Sequence, residues 1–480
     1  MNWQNLSDSY REKTWRLWED YGLFSLSGHA ARLGGGKKDL AMLFTYVCLD
    51  NYVKAGGRLG FIITQTLFKT KGAGDGFRRF RLSNREHFRV LQVDDLSDFQ
   101  PFEGATNRTA IVTFQKGKKT AYPTPYVFWR KKDKASIAIE DELEDVLRKI
   151  EVKQWTAEPI NTNEPTSPWL TARPKAIAAL RKAIGESRYR AYEGVNTGGL
   201  SGAYWVEILE APTGCKSDLV LIRNLHDAGK TKVRCIERQV ERDLLYPLAR
   251  GRDVTRWSAN ASAHIILAQN PVTRTGFDED WMKSNLSKTY LYLKEFEDDL
   301  KTKRRSHSVR DLMAKGAFYS MYAVADYTLA PFKVCWGHTS EQINAAVVGS
   351  EFTHSLGEKV LIPDQTAIFV PLNDEQEAHY LCAMLNCSIT NLVTRTYVVL
   401  HFVTHVLNNI RVPQFDSAAT RQRQLSELSK RAHNLAKQET EASWKALEKI
   451  ETEIDELAAE VWGITTVELR DIQFSLSDLR

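Results

Sequence analysis

The chain has 480 residues, 43% of them apolar, with 65 basic and 60 acidic side chains and a formal net charge of +5. That near-balance excludes a polyanion-binding coat spread over the surface, so any polyanion contact must come from clustered charge, and the length suits about two to four domains. Six cysteines without a Cys-x-x-Cys pair exclude a zinc ribbon or a disulfide framework, and the polar start MNWQNLSDSYREK together with the lack of any apolar run near roughly 18 residues makes the expectation a soluble, cytoplasmic protein with no membrane segment.

In chain order, Ser9 to Tyr21 reads as an amphipathic helix, followed by the Gly-rich loop LGGGKKD. Asp39 to Tyr52 has helical periodicity, with Leu40, Leu43, Phe44 and Val47 on one face. Gly56-Gly57 stops it. The apolar run Arg58 to Thr64 suits a strand buried on both faces of a mostly parallel sheet. Gly76 to Leu82 reads as a basic helix, and Val90 to Val93 and Thr109 to Phe114 as strands, giving the alternation of an α/β sheet. Gln115 to Lys134 is polar, and Glu140 to Lys149 is a charged helix. Pro159 to Pro168, PINTNEPTSP, has linker composition. Residues 170–415 mix short strands, turns and helices, and 417–460 is nearly continuous helix, expected as a hairpin on the domain before it, with a dimerising coiled coil as the alternative.

The ordered phrases KKDLAMLFTYVCLDNYVKAGGRLGFIIT, GDGFRRFRL, HFRVLQVDDL and NRTAIVTF resemble the back half of the class I methyltransferase domain of adenine-specific DNA methyltransferases, particularly the large type IIG enzymes. In that family a Gly-rich loop after the first strand holds S-adenosylmethionine, and Asn/Asp-Pro-Pro-aromatic after the fourth grips the target amine. Neither motif occurs here, and the family's tetrapeptide falls just before a segment resembling Asn2-Trp3-Gln4-Asn5-Leu6. The resemblance therefore implies strands five to seven of the sheet without strands one to four. It also implies an unpaired edge along Arg58 to Thr64 and a protein partner carrying the N-terminal methyltransferase half.

The resemblance carries three residues of this half to roles. Phe102, with Phe99 as the alternative in the same loop, matches an aromatic that packs on the flipped adenine; otherwise it plugs the sheet edge. Asp39 and Leu40 match a segment near the cofactor, while Asp39 equally suits a helix N-cap. Gly72 to Gly76 lacks the Lys-Ser/Thr ending of a P-loop and reads as a loop entering a helix. Arg78, Arg79 and Arg81 either face a DNA backbone or solvate that helix.

Later phrases resemble the target-recognition region of the same enzymes. They include Tyr192-Glu193-Gly194-Val195-Asn196-Thr197-Gly198-Gly199, Tyr246-Pro247-Leu248 with Arg250-Gly251-Arg252-Asp253-Val254, Ala330-Pro331-Phe332 and His379-Tyr380-Leu381. The block through Leu385-Asn386 and Ile410 to Pro413 also resembles type I specificity subunits. Double-stranded DNA is the implied partner, with Arg250, Arg252, Arg256, Lys303, Arg304 and Arg305 as its candidate contacts. A solvated helix end at 301–310 and an Arg–Asp253 ion pair are the alternatives. His401 and His405 have metal-ligand spacing but no acidic third ligand beside them, which favours packing.

The expected architecture is α/β. A partial Rossmann-like methyltransferase sheet (1–158) and a linker (159–169) precede an α+β target-recognition domain (170–415) and a C-terminal helical segment (416–480). The expected function is sequence-specific DNA recognition and, with the first half supplied, methylation of the exocyclic amine of adenine in a restriction-modification or phage-defence system. The alternatives are a non-catalytic specificity subunit and a fragment inactive alone.

Overall fold

Gly56, at φ +76°, makes a turn that an L side chain enters only with strain, and the chain leaves it as strand β1, Arg58–Thr64. A computed structural model describes residues 3–24, 38–98, 102, 108–132, 135–210, 218–304, 307–340, 342–353, 355–397 and 404–479. The chain forms two compact units. The first comprises Met1–Gly185, Asn391–Val399 and Trp462–Arg480, and the second Glu186–Thr390 and Leu400–Val461.

In the first unit the helices Asp8–Asp20 and Leu40–Asn51 fall where the periodicity places them. The strands after β1 are β2 (Phe88–Asp95), β3 (Thr109–Lys116), β4 (Thr124–Lys131), β5 (Ile150–Pro159) and β6 (Trp169–Ala172). They make one sheet in the order β1-β3-β2-β4-β5-β6. β3 runs antiparallel to both β1 and β2, β2 and β4 are parallel, and the remaining pairs are antiparallel. The sheet is therefore mixed rather than mostly parallel.

β1 is the terminal strand, paired with β3 from Arg58↔Gln115 to Thr64↔Thr109. It is not buried on both faces as its apolar run predicts, because only Ile63 is buried. Ile62 and its cross-strand partner Ile111 are both exposed, and so is Phe44 on the neighbouring helix. The opposite face packs on an aromatic core. Tyr46 meets Phe88 edge-on at 5.0 Å and 86°, and Phe88 meets Phe114 at 5.7 Å, the geometry that ring quadrupoles favour.

Two expectations are corrected here. Gly76 to Leu82 is not a basic helix: only Phe77–Arg79 makes a single 3₁₀ turn, with Phe77 and Arg78 buried. Burial of Arg78 forces the local chain to wrap around it. Its guanidinium donates to Leu67 O (2.6 Å), Thr70 O (2.8 Å), Asp75 Oδ1 (2.6 Å) and Thr166 O (2.8 Å), so it does not face DNA. Pro159 to Pro168 is not an interdomain linker. Pro159 pairs with Trp169, and Ile160 N donates to Pro168 O at 2.8 Å, so the stretch is a hairpin loop that carries the sheet onward. Its turn-rich composition is that of a loop between strands.

The C-terminal residues also divide differently from the expectation. Helices Thr420–Ala436 and Glu441–Trp462 form the predicted pair, tied by Arg421 and Glu460. The last helix, Thr466–Ser477, belongs to the first unit. There Asp478 accepts Arg173 Nε at 2.7 Å and Nη2 at 2.8 Å, and Trp155 Nε1 at 3.1 Å.

The second unit is built on two larger sheets. Its strands are β7 (Tyr192–Glu193), β8 (Trp205–Glu210), β9 (Leu219–Asn224), β10 (Glu237–Glu241), β11 (Leu245–Ala249), β12 (Ala263–Ile266), β13 (Phe332–Gly337), β14 (Ala346–Val348), β15 (Ile362–Pro363) and β16 (Ala367–Leu372). One sheet has the order β10-β9-β8-β12-β11-β15 and the other β14-β13-β16-β7. Helix Glu375–Asn386, buried from Ala378 to Asn386, lies between β13 and helix Thr420–Ala436. No helix among the described residues is long and apolar enough to cross a membrane.

Two buried histidines lock that helix pair. His379 Nδ1 lies 3.0 Å from Ser429 Oγ, and the His379 and His433 rings meet edge-on at 4.9 Å. His433 Nε2 accepts Val347 N at 2.9 Å while its Nδ1 lies 2.7 Å from Ser429 O, which requires a neutral ring protonated on Nδ1. Burial pushes His379 down to about 3 and His433 down to about 4. The unfolded chain takes up these protons near pH 6.5 and the folded chain does not. The stability they contribute is therefore present above about pH 6.5 and is lost as pH falls toward 4. Denaturant titrations at pH 7, 6 and 5 are expected to show a fall of up to about 1.4 kcal/mol per pH unit for each histidine. His379→Gln is expected to make that fall shallower; an unchanged slope would remove the histidine from the account.

Candidate functional site

In open α/β sheets ligands bind beyond the carboxyl ends of the strands. β1 and β2 point the same way and end at Thr64 and Asp95, beside the start of β3. A polar cluster occupies this edge. Gln65 Nε2 donates to Asp95 Oδ2 at 2.9 Å and lies 3.3 Å from Tyr126 Oη, and the Tyr126 hydroxyl also donates to Asp95. The Lys69 ammonium sits over the Tyr126 ring, 5.7 Å from its centroid, and burial pulls its pKa down to about 8 against the attraction of Asp95. Gln65 Oε1 is buried without a partner, so the edge can still accept one hydrogen bond.

Asp39 and Leu40 stand at the same edge. Asp39 caps the helix Leu40–Asn51, accepting Ala41 N at 3.0 Å, and its second oxygen accepts Thr64 Oγ1 at 3.0 Å. Both carboxylate oxygens are engaged inside the protein. Phe102 is 48% exposed, so it is not a core residue. Phe99 lies outside the described residues, as do Arg305 and His401 and the side chain of His405. Among the described residues no group of three His, Cys, Asp or Glu side chains could hold a metal ion.

The basic residues named from the sequence in the second unit are mostly committed internally. Arg250 donates from its backbone N (2.8 Å) and Nε (2.9 Å) to Asp253 Oδ2, and from Nη2 to Ser262 Oγ at 2.6 Å. Gly251 is required by close approach, but to this chain itself: a Cβ there would lie 2.1 Å from Thr366 O. Arg256 pairs with Glu451, which also takes Trp257 Nε1 at 2.6 Å. Lys303 pairs with Asp299 at 2.6 Å, and Lys301 with Glu297 at 2.7 Å. Arg304 is 3% exposed and donates to Ser320 O and Tyr204 Oη. Arg250, Arg256 and Arg304 are therefore structural cations with acceptors supplied by the fold, whereas Lys303 pairs with Asp299 while its side chain is 52% exposed. Among the described cations named there, Arg252, its side chain 73% exposed and 3.9 Å from Asp253, is the most exposed.

The structure instead opens a cleft of about 800 Å³ in this unit, lined by Arg188, Arg190, Tyr192, Arg274, Tyr322 and Tyr327 among others. Tyr192 and Tyr327 stack at 4.0 Å, and the Arg190 guanidinium lies 5.3 Å from the Tyr192 ring centroid. The sequence signal for this cleft was the interleaving Arg188-Tyr189-Arg190-Ala191-Tyr192, where basic and aromatic side chains alternate in an extended segment.

No family model matches the chain. A curated Type II methyltransferase, M.NspV of Nostoc sp. (strain ATCC 29411 / PCC 7524), is 24% identical over 179 residues, which cover 37% of this chain and 35% of the relative. Among solved structures, the Type IIL restriction-modification enzyme MmeI in complex with DNA aligns with a TM-score of 0.55 at 10% identity, over 99% of this chain and 55% of MmeI. The chain thus has a fold similar to about half of MmeI, and its matched part spans about a third of the Nostoc relative.

The two neighbouring arginines of the 250 loop are expected to behave oppositely. Arg250→Ala removes a partly buried ion pair and its hydrogen bonds and lowers stability by about 1–2 kcal/mol after solvent screening. Arg252→Ala leaves stability within about 0.5 kcal/mol. Denaturant midpoints of the two variants check this; equal midpoints would deny Arg250 its structural role.

Proposed function

We propose that the chain is the DNA-recognition portion of an adenine-specific DNA methyltransferase of the restriction-modification kind, completed by a partner that carries the first half of the methyltransferase sheet. The observation that carries this reading is the order β1-β3-β2, with β3 antiparallel between two co-directional strands and β1 at the end of the sheet. In the resembled fold the fifth, seventh and sixth strands stand in that order, and the fourth adds beside the fifth. The exposed Ile62 lies on the terminal strand β1, with its exposed cross-strand partner Ile111 beside it. Similarity to the Nostoc methyltransferase and to the fold of MmeI supports the same reading.

Within this reading the first unit derives from the methyltransferase domain, and the second is the target-recognition domain that meets double-stranded DNA. S-adenosylmethionine would supply the methyl group. The residues described here do not make its site. Asp39 spends both oxygens on the helix cap and on Thr64, and Leu40 offers only apolar surface. No step of methyl transfer is therefore assigned to this chain's side chains. Its share is the exposed ring of Phe102, which suits stacking against an extruded base.

The test is transfer of labelled methyl from S-adenosylmethionine to duplex DNA, comparing the purified chain with the assembly captured from its own cells. The expected result is label on the adenine exocyclic amine from the assembly and none from the chain alone. DNA binding by the assembly without methyl transfer would replace this reading with a non-catalytic specificity subunit. In an active assembly, Phe102→Ala is expected to slow transfer about 10- to 100-fold, the loss of a stacking contact of about 1–3 kcal/mol. Its melting temperature should be unchanged, because the ring is already half in solvent. A collapse in melting would make Phe102 a core residue.

A further inference from the structure

We infer that the cleft of the second unit is a DNA-backbone clamp, in which Arg188, Arg190 and Arg274 take phosphates of duplex DNA and Tyr322 packs against the sugar-base edge of the same strand. This rests on the DNA-recognition reading and assigns it arginines other than those named from the sequence.

The first argument is charge. Arg188, Arg190 and Arg274 line the cleft, and Glu193 is the one carboxylate among its described lining residues. All three arginines are exposed, and among the described residues none has an ion-pair partner, whereas four of the six cations named from the sequence are engaged by the fold. Guanidinium groups left without a carboxylate partner and gathered in one cleft suit the bidentate recognition of phosphate oxygens.

The second argument is preorganisation. Arg190 is held over Tyr192, itself stacked on Tyr327, so its plane is set before any ligand arrives. Arg188 Nη1 rests on Gln414 Oε1 at 3.3 Å. Arg274 and Ala323 both adopt left-handed backbone, φ +58° and +59°, which costs a non-glycine residue and persists only where the surroundings impose it. Buried Gln269 imposes the first: its Nε2 donates to Arg274 O at 2.8 Å while its Oε1 accepts Met321 N at 2.6 Å. One amide thus sets the Arg274 turn and the Tyr322 segment together.

Tyr322 is fixed in turn by a two-way bridge, its N donating to Asn196 O and its O accepting Asn196 N, both at 2.9 Å. Its ring remains exposed at the cleft. Arg304 backs the floor by holding Ser320 O, and so acts as a positioning residue rather than a DNA contact.

The experiment measures binding of the full chain to a random-sequence DNA duplex as a function of salt. Replacing Arg188, Arg190 and Arg274 together with Ala is expected to lower the slope of log K against log salt by roughly 2–3, since each lost phosphate contact removes about 0.9. Affinity near 0.1 M salt should fall on the order of 100-fold. Tyr322→Ala should lower affinity about 10-fold with the slope unchanged. All four side chains are exposed, so melting should stay at the parental value and certify folding. If the parent binds duplex DNA and the triple variant keeps its affinity and slope, the clamp is overturned while DNA recognition stands. If the parent does not bind duplex DNA, or prefers single-stranded RNA, both readings fall.

Discussion

A guanidinium cannot discard its charge, so burying one obliges the chain to bring acceptors to it from several directions. Arg78 is that obligation in the first unit. Its acceptors come from the turn after β1, from the loop at Asp75 and from the β5–β6 hairpin loop at Thr166. Leu67, Thr70 and Asp75 lie just before Arg78 in the chain, whereas Thr166 comes from the far side of the sheet's sequence, so one guanidinium ties a local turn to a distant hairpin loop. With Arg78 between them, Trp169 at the start of β6 can settle on Phe68, 4.5 Å between ring centroids, and the sheet continues past β4. Removing one partner of such a group leaves the others around an uncompensated charge, which is why a set of this kind holds together or fails together.

The second unit uses the same device at Arg304, beneath Ser320 and Tyr204. The contrast with Arg188, Arg190 and Arg274 separates two kinds of cation. One kind is consumed by the fold, and its worth is that the fold has a single arrangement. The other is left without a carboxylate partner among the described residues and is held in place by neighbours that do not neutralise it, such as the Tyr192–Tyr327 stack or the Gln269 amide. Charge density along the chain does not distinguish them. The run from Lys301 to Arg305 is the denser, yet Lys301 and Lys303 are matched by Glu297 and Asp299 one helical turn earlier.

Local chemistry made part of this legible in advance. Asp39 before an apolar period of 3.6 gave a capped helix, and Gly56-Gly57 before Leu59 to Ile63 gave a strand, because those signals act over a few residues. The order of β1, β2 and β3 along the chain was readable for the same reason. What escaped depended on distant partners. PINTNEPTSP has the composition of a linker, and only the pairing of Pro159 with Trp169 makes it a turn. Arg250 looked available until Asp253 and Ser262 closed on it. The final helix looked continuous with the pair before it, and only the clasp of Arg173 on Asp478 returns it to the first unit.

That return has a consequence for how such a gene can change. The chain passes from the first unit to the second after Gly185 and comes back for the last time at Trp462. The second unit's two segments thus lie within the first, with Asn391–Val399 of the first unit between them, and the second unit cannot be replaced by trading everything downstream of a single breakpoint. A one-ended exchange would also replace Asp478 and leave Arg173 and Trp155 facing foreign residues. An exchange that replaces the second unit and keeps the first intact must therefore spare both Asn391–Val399 and the helix Thr466–Ser477, so the residues on either side of the exchanged segments should share one lineage.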